Sequence, residues 1–243
     1  MTGSGYWIAF GDIHDDISRL DAIPELPGAA GVLVTGDMTL GGGIRQAARV
    51  LEPIAERCPV LLAQIGNMDR PEVTGWLEEK GWNLHARAKA LFPGVMALGV
   101  GCSPFTPFGT PSEHSESQLA EWMEQALAEA RDLYGPEPPA LVLVSHTPPQ
   151  ATACDRLSSG APVGSVAVRE FIERHAPALC LCGHIHESRA EDRIGSTHVI
   201  NPGTLGSGGY VILRRADAEG TGQVTSQAVA TTRRGVVAEL KIL

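Results

Sequence analysis

The sequence has few basic residues, and this scarcity narrows the partners that the protein can bind. Its 243 residues include 19 Lys and Arg against 28 Asp and Glu, which gives a formal net charge of -9 at pH 7. Proteins that follow a phosphate backbone usually carry a basic face, and this sequence has no Arg/Lys-rich stretch. We therefore expect no nucleic-acid polymer among its partners.

Long apolar runs are also missing. No stretch approaches the roughly 18 consecutive apolar residues that a bilayer-spanning helix needs. The first five residues have neither the basic region nor the apolar segment of a secretory signal. We therefore predict a cytoplasmic protein that does not bind a membrane.

The cysteines form neither a paired framework nor a Cys-x-x-Cys motif, so no disulfide scaffold or structural zinc site is expected. They are Cys58, Cys102, Cys154, Cys180 and Cys182. We interpret them as buried, reduced thiols. Cys180 and Cys182 face the same side of a predicted strand, which leaves a redox pair open as an alternative.

The sequence contains enough apolar residues for a sizeable core, with 43% hydrophobic content. Short aliphatic runs typical of strands buried on both faces lie at 6–10, 31–35, 60–65, 95–100, 140–144 and 178–182. Segments with helical spacing lie between several of them, at 16–26, 44–57, 70–80, 119–134 and 165–175. Ser115 and Gln118 form a capping box before the clearest of these helices. This order predicts a layered α/β fold in a single domain over residues 1–243.

The pattern changes after residue 186, where strands rather than helices are predicted. These strands cover 197–200, 210–215 and 223–230 and are joined by Gly-rich turns. We therefore expect mixed β-sheets. Residues 103–117 form a long loop before the clearest helix, and ordered long loops are often functional.

Five short polar blocks each follow an apolar, strand-like run. They are Gly11-Asp12-Ile13-His14, Gly36-Asp37, Gly66-Asn67-Met68-Asp69, Ser145-His146 and Gly183-His184-Ile185-His186. In open α/β sheets ligands bind beyond the carboxyl ends of the strands, so these blocks are expected to converge. Their oxygen and imidazole donors are Asp12, His14, Asp37, Asn67, His146, His184 and His186. Divalent Mn, Fe, Co, Ni and Zn accept this mixture, which predicts a metal centre.

Each block taken singly has a simpler interpretation. Gly-Asp is a common turn, Asn67 can turn the chain, and His146 can cap a strand end. His184 and His186 alternate onto one side of an extended segment, as two surface histidines also would. The glycines before the donors fit sharp strand exits, where φ is positive or where the backbone approaches the site closely.

The ordered set resembles the calcineurin-like metallophosphoesterase superfamily over roughly Gly5 to Gly203, and within it the small Icc-related phosphoesterase branch. The resemblance implies an αββα-type fold with mixed sheets flanked by helices. It also implies two divalent metal ions, with manganese favoured. In this assignment Asp12, His14 and His186 hold one ion, Asn67, His146 and His184 hold the other, and Asp37 bridges them.

A dinuclear centre of this kind predicts hydrolysis of a phosphate ester by in-line attack of a metal-bridging hydroxide. Asp37, Asn67 and His146 are the candidate catalytic residues, since they position the metal and the phosphate. We expect a small-molecule substrate, with small or nucleotide-type phosphodiesters as the favoured class. Phosphomonoesterase activity and a non-catalytic scaffold or regulatory module are the alternatives.

Met68 departs from the family pattern, because relatives usually have a histidine there that protonates the leaving group or binds a phosphate oxygen. A thioether cannot donate a proton. This favours phosphodiesters with activated leaving groups, which depend least on a general acid. His114 in the long loop is a candidate substitute acid, and Asp69 with Glu72 matches a helix capping box.

Overall fold

The computed structural model describes residues 5–135, 140–216, 230–231 and 235–243. The α-helices of this part of the chain are α1 (Ile44–Ala55), α2 (Glu72–Glu79), α3 (Glu116–Tyr134) and α4 (Val166–His175). Its strands are β1 (Tyr6–Phe10), β2 (Gly31–Val34), β3 (Leu61–Ala63), β4 (Ala88–Phe92), β5 (Val95–Val100), β6 (Leu141–Ser145), β7 (Leu179–Leu181), β8 (Ala190–Ile194), β9 (Thr197–Asn201), β10 (Gly209–Arg215), β11 (Ala230–Thr231) and β12 (Val236–Ile242).

The strands form two mixed sheets of six strands each. The first sheet has the order β11-β12-β10-β1-β2-β3, in which β1, β2 and β3 are parallel and β10 runs antiparallel to β1. The second has the order β4-β5-β6-β7-β9-β8, with a parallel centre and an antiparallel strand at each edge. The mixed sheets are therefore confirmed.

Three apolar clusters separate four layers. Leu33 and Val211 of the first sheet pack against Val142 and Leu181 of the second, between the two sheets. The outer face of the first sheet packs against α1 and α2, and the outer face of the second packs against α3 and α4. This is the αββα arrangement that the resemblance implies, because both faces of each sheet must be covered by apolar partners.

The prediction of a helix over residues 16–26 is wrong. Two short 3₁₀ turns, Leu20–Ala22 and Leu26–Gly28, occupy this part of the chain. Pro24 and Pro27 explain the difference, since a proline lacks the N–H that a helix needs and disfavours helical backbone at the preceding residue. Accordingly, Ile23 before Pro24 is extended.

Other predictions have mixed outcomes. Ser115 caps α3 by accepting a hydrogen bond from the Gln118 N–H, as the capping box predicts. The predicted strand at 223–230 lies outside the described residues except for its last residue, which belongs to β11.

All five cysteines are buried and free. Burial raises the pKa of the Cys182 thiol, which disfavours the redox alternative because the thiolate is the reactive form.

Within the described ranges, no helix combines the length and the apolar character that a membrane crossing requires.

Candidate metal centre

The five polar blocks meet at one edge of the two sheets. Asp12 lies two residues beyond β1, Asp37 three beyond β2, and His146 directly beyond β6. Hydrogen bonds tie the blocks together: the Asp12 N–H donates to the Gly36 carbonyl at 3.0 Å, and the Gly183 N–H donates to the His146 carbonyl at 2.9 Å. The carboxyl ends of parallel strands therefore bring residues that are distant in the sequence into one site.

One donor group, here called the open group, consists of Asp12, His14, Asp37 and His186. One ligand atom from each lies within 4.8 Å of all the others. The Nε2 atoms of His14 and His186 are 3.0 Å apart, and His186 Nε2 is 3.5 Å from Asp12 Oδ1. His14 Nε2 is 3.9 Å from Asp37 Oδ2.

The second donor group, here called the buried group, contains Asp37, His146 and His184, again with ligand atoms within 4.8 Å. Asn67 belongs to it through its amide oxygen, which lies 3.0 Å from His146 Nε2. His146 Nε2 is 3.5 Å from Asp37 Oδ2. Asp37 is thus shared by both groups, as a bridging carboxylate would be.

The donor chemistry of both groups fits divalent metal ions. Each group directs imidazole nitrogens and carboxylate oxygens at a common point, and such lone pairs repel one another unless a proton or cation lies between them. Nitrogen and oxygen donors without a thiolate suit borderline and hard divalent ions. The seven predicted donors are therefore all brought together, in two groups joined by Asp37.

Four of these donors have left-handed backbone. The φ angles are +47° at Asp12, +50° at His14, +50° at Asp37 and +67° at His184. This conformation costs about 1–2 kcal/mol at a residue that carries a Cβ, and such strain concentrates at functional sites. The tight hydrogen bonding of the blocks holds these residues in place.

The glycines before the donors are needed because the chain segments approach closely. A Cβ on Gly66 would overlap the Asp37 carboxylate, and one on Gly183 would overlap the Asp12 carboxylate. A Cβ on Gly36 would lie 2.5 Å from His146 Nδ1, and Gly36 also has a φ of +128°. The expected close approach is confirmed at these positions, and positive φ is confirmed at Gly36 only.

Charge coupling is strongest in the buried group. Burial opposes the charged form of His146, but the charge of Asp37 outweighs it and raises the pKa of His146 to about 9. Burial and the nearby His146 lower the pKa of His184 to about 4. A cation bound by this group therefore competes with the proton on His146, since metal ligation requires the neutral imidazole.

Asp69 does not cap α2, and the capping-box prediction is wrong. The N-cap of α2 is Pro71, with no side-chain hydrogen bond. The Asp69 carboxylate instead accepts hydrogen bonds from the N–H groups of Met38, Thr39 and Gly66 and from the Thr39 hydroxyl, at 2.8 to 3.1 Å. Burial and the charge of Asp37 raise the pKa of Asp69 to about 7, against these hydrogen bonds. Asp69 therefore ties the loop that carries Asp37 to the loop that carries Asn67.

Two buried side-chain amides support the loops that carry the donors. Neither was identified from the sequence. The Gln64 amide nitrogen donates to the carbonyls of Thr35, Val100 and Val144, at the ends of three strands from both sheets. Asn201 donates to the carbonyls of Gly183 and Ile185, within the block that carries His184 and His186. A Gln within the apolar run at 60–65 was the available signal for the first, since a polar side chain in a buried strand requires partners.

The structure gives no support to His114 as a general acid. Its ring packs edge-on against Trp122 at a centroid distance of 4.8 Å, and its backbone N–H donates to the Ser103 carbonyl. The loop instead reaches the metal centre through Thr110, whose hydroxyl accepts a hydrogen bond from the Asn67 amide. Met68 contributes its backbone, because its N–H donates to Asp37 Oδ1 at 2.8 Å.

Comparison with known proteins agrees with this geometry. Residues 119–223 match the sequence model of the family described as "Metallophosphoesterase, calcineurin superfamily". The chain is also 34% identical over 199 residues to the uncharacterized protein MJ1162 of Methanocaldococcus jannaschii, a match that covers 79% of this chain and 84% of that protein. The chain belongs to the calcineurin superfamily of metallophosphoesterases. This membership supports a metal-dependent phosphoester hydrolase, and the superfamily typically uses a dinuclear centre of divalent metals.

Solved structures place this metallophosphoesterase among small proteins of the same fold. The crystal structure of TT1561 of Thermus thermophilus has a TM-score of 0.64 at 21% identity, covering 87% of this chain and 95% of that one. Phosphopantetheinyl hydrolase (PptH) from Mycobacterium tuberculosis has a TM-score of 0.56 at 15% identity, covering 84% and 91%. At these identities the likeness concerns the fold alone.

Proposed function

We propose that this metallophosphoesterase hydrolyses a small or nucleotide-type phosphodiester with two divalent metal ions, manganese first among the candidates. One ion is assigned to Asp12, His14 and His186, the other to Asn67, His146 and His184, and Asp37 to both. The position of the Asp37 carboxylate carries this proposal. Its Oδ2 atom is 3.9 Å from His14 Nε2 and 3.5 Å from His146 Nε2, and so it faces both donor groups.

The chain holds its carboxylates in orientations that suit this role. The backbone N–H of Met68 donates a hydrogen bond to Asp37 Oδ1. Asp37 Oδ2 is left to face the imidazoles of His14 and His146. The backbone N–H of His184 donates to both carboxylate oxygens of Asp12, at 3.1 and 2.9 Å. When bound, two divalent ions would acidify a water molecule, hold the phosphoryl oxygens and neutralise the charge that develops during in-line displacement.

The residue at position 68 supports a phosphodiester with a good leaving group. The thioether of Met68 cannot protonate a leaving oxygen, and His114 packs against Trp122 instead of joining the donors. A positioned general acid typically contributes about 10²–10⁴-fold to the rate, and alkoxide leaving groups need it most. We therefore expect aryl diesters to be hydrolysed faster than alkyl diesters.

Replacing Met68 tests this proposal. The manganese-loaded wild type is assayed with paired alkyl and aryl mono- and diesters, including cyclic nucleotides, alongside Met68→His and a Met68→Leu control. We expect the histidine to raise alkyl turnover by up to about 10²-fold and to change aryl turnover little, because only the alkyl reaction needs the proton. The leucine variant should match the wild type.

Two results would contradict the proposal in different ways. If Met68→His keeps its metal content and alkyl turnover does not rise, the argument from the missing acid is wrong. If the wild type binds two manganese ions and hydrolyses none of the esters, the phosphoesterase proposal itself fails. Faster monoester than diester turnover would reassign the substrate class to monoesters.

A further inference from the structure

Asn67 is a donor whose side chain must be oriented before it can bind a metal. Its amide ends in an oxygen acceptor and a nitrogen donor of nearly the same shape, and only the oxygen is a metal ligand. A carboxylate has no such ambiguity, because both of its ends are oxygen atoms. Some neighbouring group must therefore fix the direction of this amide.

The neighbour in the structure is Thr110. The Asn67 amide nitrogen donates to Thr110 Oγ1 at 2.9 Å, and the amide oxygen then lies 3.0 Å from His146 Nε2. Thr110 follows Asn67 by 43 residues and lies in the long loop before α3. Ser112 ties this loop to the Asn67 block, through its N–H to the Asn67 carbonyl at 3.0 Å and its hydroxyl to the Asp69 carbonyl at 2.6 Å.

The Thr110 hydroxyl donates its one proton in a hydrogen bond to the Glu113 carboxylate. Thr110 Oγ1 is 2.7 Å from Glu113 Oε1, which also accepts the Thr110 N–H at 2.8 Å and the Thr106 hydroxyl at 2.5 Å. Desolvation opposes the ionised form of Glu113, but these hydrogen bonds outweigh it and lower its pKa to about 2. An ionised carboxylate only accepts hydrogen bonds, so the hydroxyl must donate.

The direction of the hydrogen bond from Thr110 to Glu113 determines how the Asn67 amide is oriented. A threonine hydroxyl has one proton, and with that proton on Glu113 the oxygen can only accept from Asn67. The amide nitrogen must then face Thr110, and the amide oxygen must face the buried group. Hydrogen-bond chemistry alone therefore assigns which end of the amide is the oxygen.

We infer that Thr110 and Glu113 are positioning residues that hold the Asn67 oxygen toward the metal of the buried group. The inference rests on the proposed role of Asn67 as a ligand and deepens it, since it makes the loop before α3 part of the metal centre. Groups that orient metal ligands typically contribute about 10–100-fold to metal affinity.

Substitutions in the loop, measured by titration of the metal-free protein with Mn²⁺, test this inference. Thr110→Val keeps the shape of the side chain and removes the hydroxyl, and we expect it to weaken the ion of the buried group by about 10–100-fold. Thr110→Ser should restore the affinity. Thr106→Val is the matched control, because the Thr106 hydroxyl donates to the same carboxylate oxygen without contacting Asn67.

A double substitution separates positioning from general support of the loop. In an Asn67→Asp background either carboxylate oxygen can bind metal, so the loss caused by Thr110→Val should disappear. A structural role would give the same loss in both backgrounds. Equal losses in Thr110→Val and Thr106→Val, or wild-type affinity in Thr110→Val, would overturn the inference.

Asn67→Ala distinguishes this failure from a failure of the proposed function. If Asn67→Ala loses the second manganese ion while Thr110→Val keeps it, Asn67 is a ligand and only the positioning inference is wrong. If Asn67→Ala binds both ions with wild-type affinity, the proposed ligand set fails, and the inference fails with it.

Discussion

The open and buried groups use similar donors but differ in their exposure to solvent. The side chain of His186 is 45% exposed in the open group, whereas that of His146 in the buried group is 0% exposed. The open group draws two donors from one Asp-x-His segment after β1, and the side chain of His14 is 15% exposed. The buried group takes its donors from loops after several strands; Asp37, Asn67 and His146 are buried, and His184 is partly exposed.

Asn67, which belongs to the buried group, and the shared Asp37 are both supported by hydrogen bonds from residues that are not donors. Thr110 orients Asn67, the Met68 N–H orients Asp37, and Asp69 joins the loops of both. Buried polar groups that lose their partners are costly, because water cannot replace them. The more deeply buried donors of this site therefore depend on more residues than the ligands themselves.

Removing the shared ligand should have the largest effect, because it damages both groups at once. We expect Asp37→Ala to lower hydrolysis by at least about 10³-fold, since a loss of several kcal/mol of charge stabilisation corresponds to this factor. Metal content measured by atomic emission should fall below two ions per chain. Asp132→Ala, on the exposed face of α3, is the control and should retain both. Two retained ions in Asp37→Ala would refute the shared assignment.

Asp69→Asn should lower the stability of the metal-free protein. An amide has one oxygen where the carboxylate has two, so backbone N–H groups of Met38, Thr39 or Gly66 lose their partner. Each unsatisfied buried donor costs about 1–3 kcal/mol. Denaturant unfolding of the metal-free protein should show a loss of this size, and Asp132→Asn should show none. Unchanged stability in Asp69→Asn would mean that the two loops hold together without this carboxylate.

The smallest expected effect concerns the rate at which a chelator removes the metal ions. A chelator reaches an ion in the open group directly, whereas release from the buried group requires local opening of the surrounding structure. We therefore expect the manganese-loaded protein to lose its ions in two phases, the first several-fold faster, as followed by metal content over time. His186→Ala should accelerate or abolish the fast phase and leave the slow phase unchanged. A single phase in the wild type would remove the distinction between the two groups.

The sequence predicted the central features of the fold and the members of the site for local reasons. The polar blocks stand at the ends of apolar runs, and the parallel strands do carry Asp12, Asp37 and His146 to one edge. The error at residues 16–26 was also local, because the effect of Pro24 and Pro27 was underestimated. Asp69 was misassigned because the spacing to Glu72 fits a capping box, while its actual partners in the Asp37 loop lie about 30 residues earlier.

The sequence by itself determined which side chains are available for metal chemistry, because residue type and position at a strand end depend on neighbours in the chain. Only the tertiary structure decided how deeply each donor is buried and which residues orient it. Those decisions depend on contacts between residues 30 to 80 positions apart, such as Asp69 with Thr39, Asn67 with Thr110 and Gln64 with Val144. Hydrogen bonds of this kind act over a few ångströms, and the packing of the two sheets sets those distances.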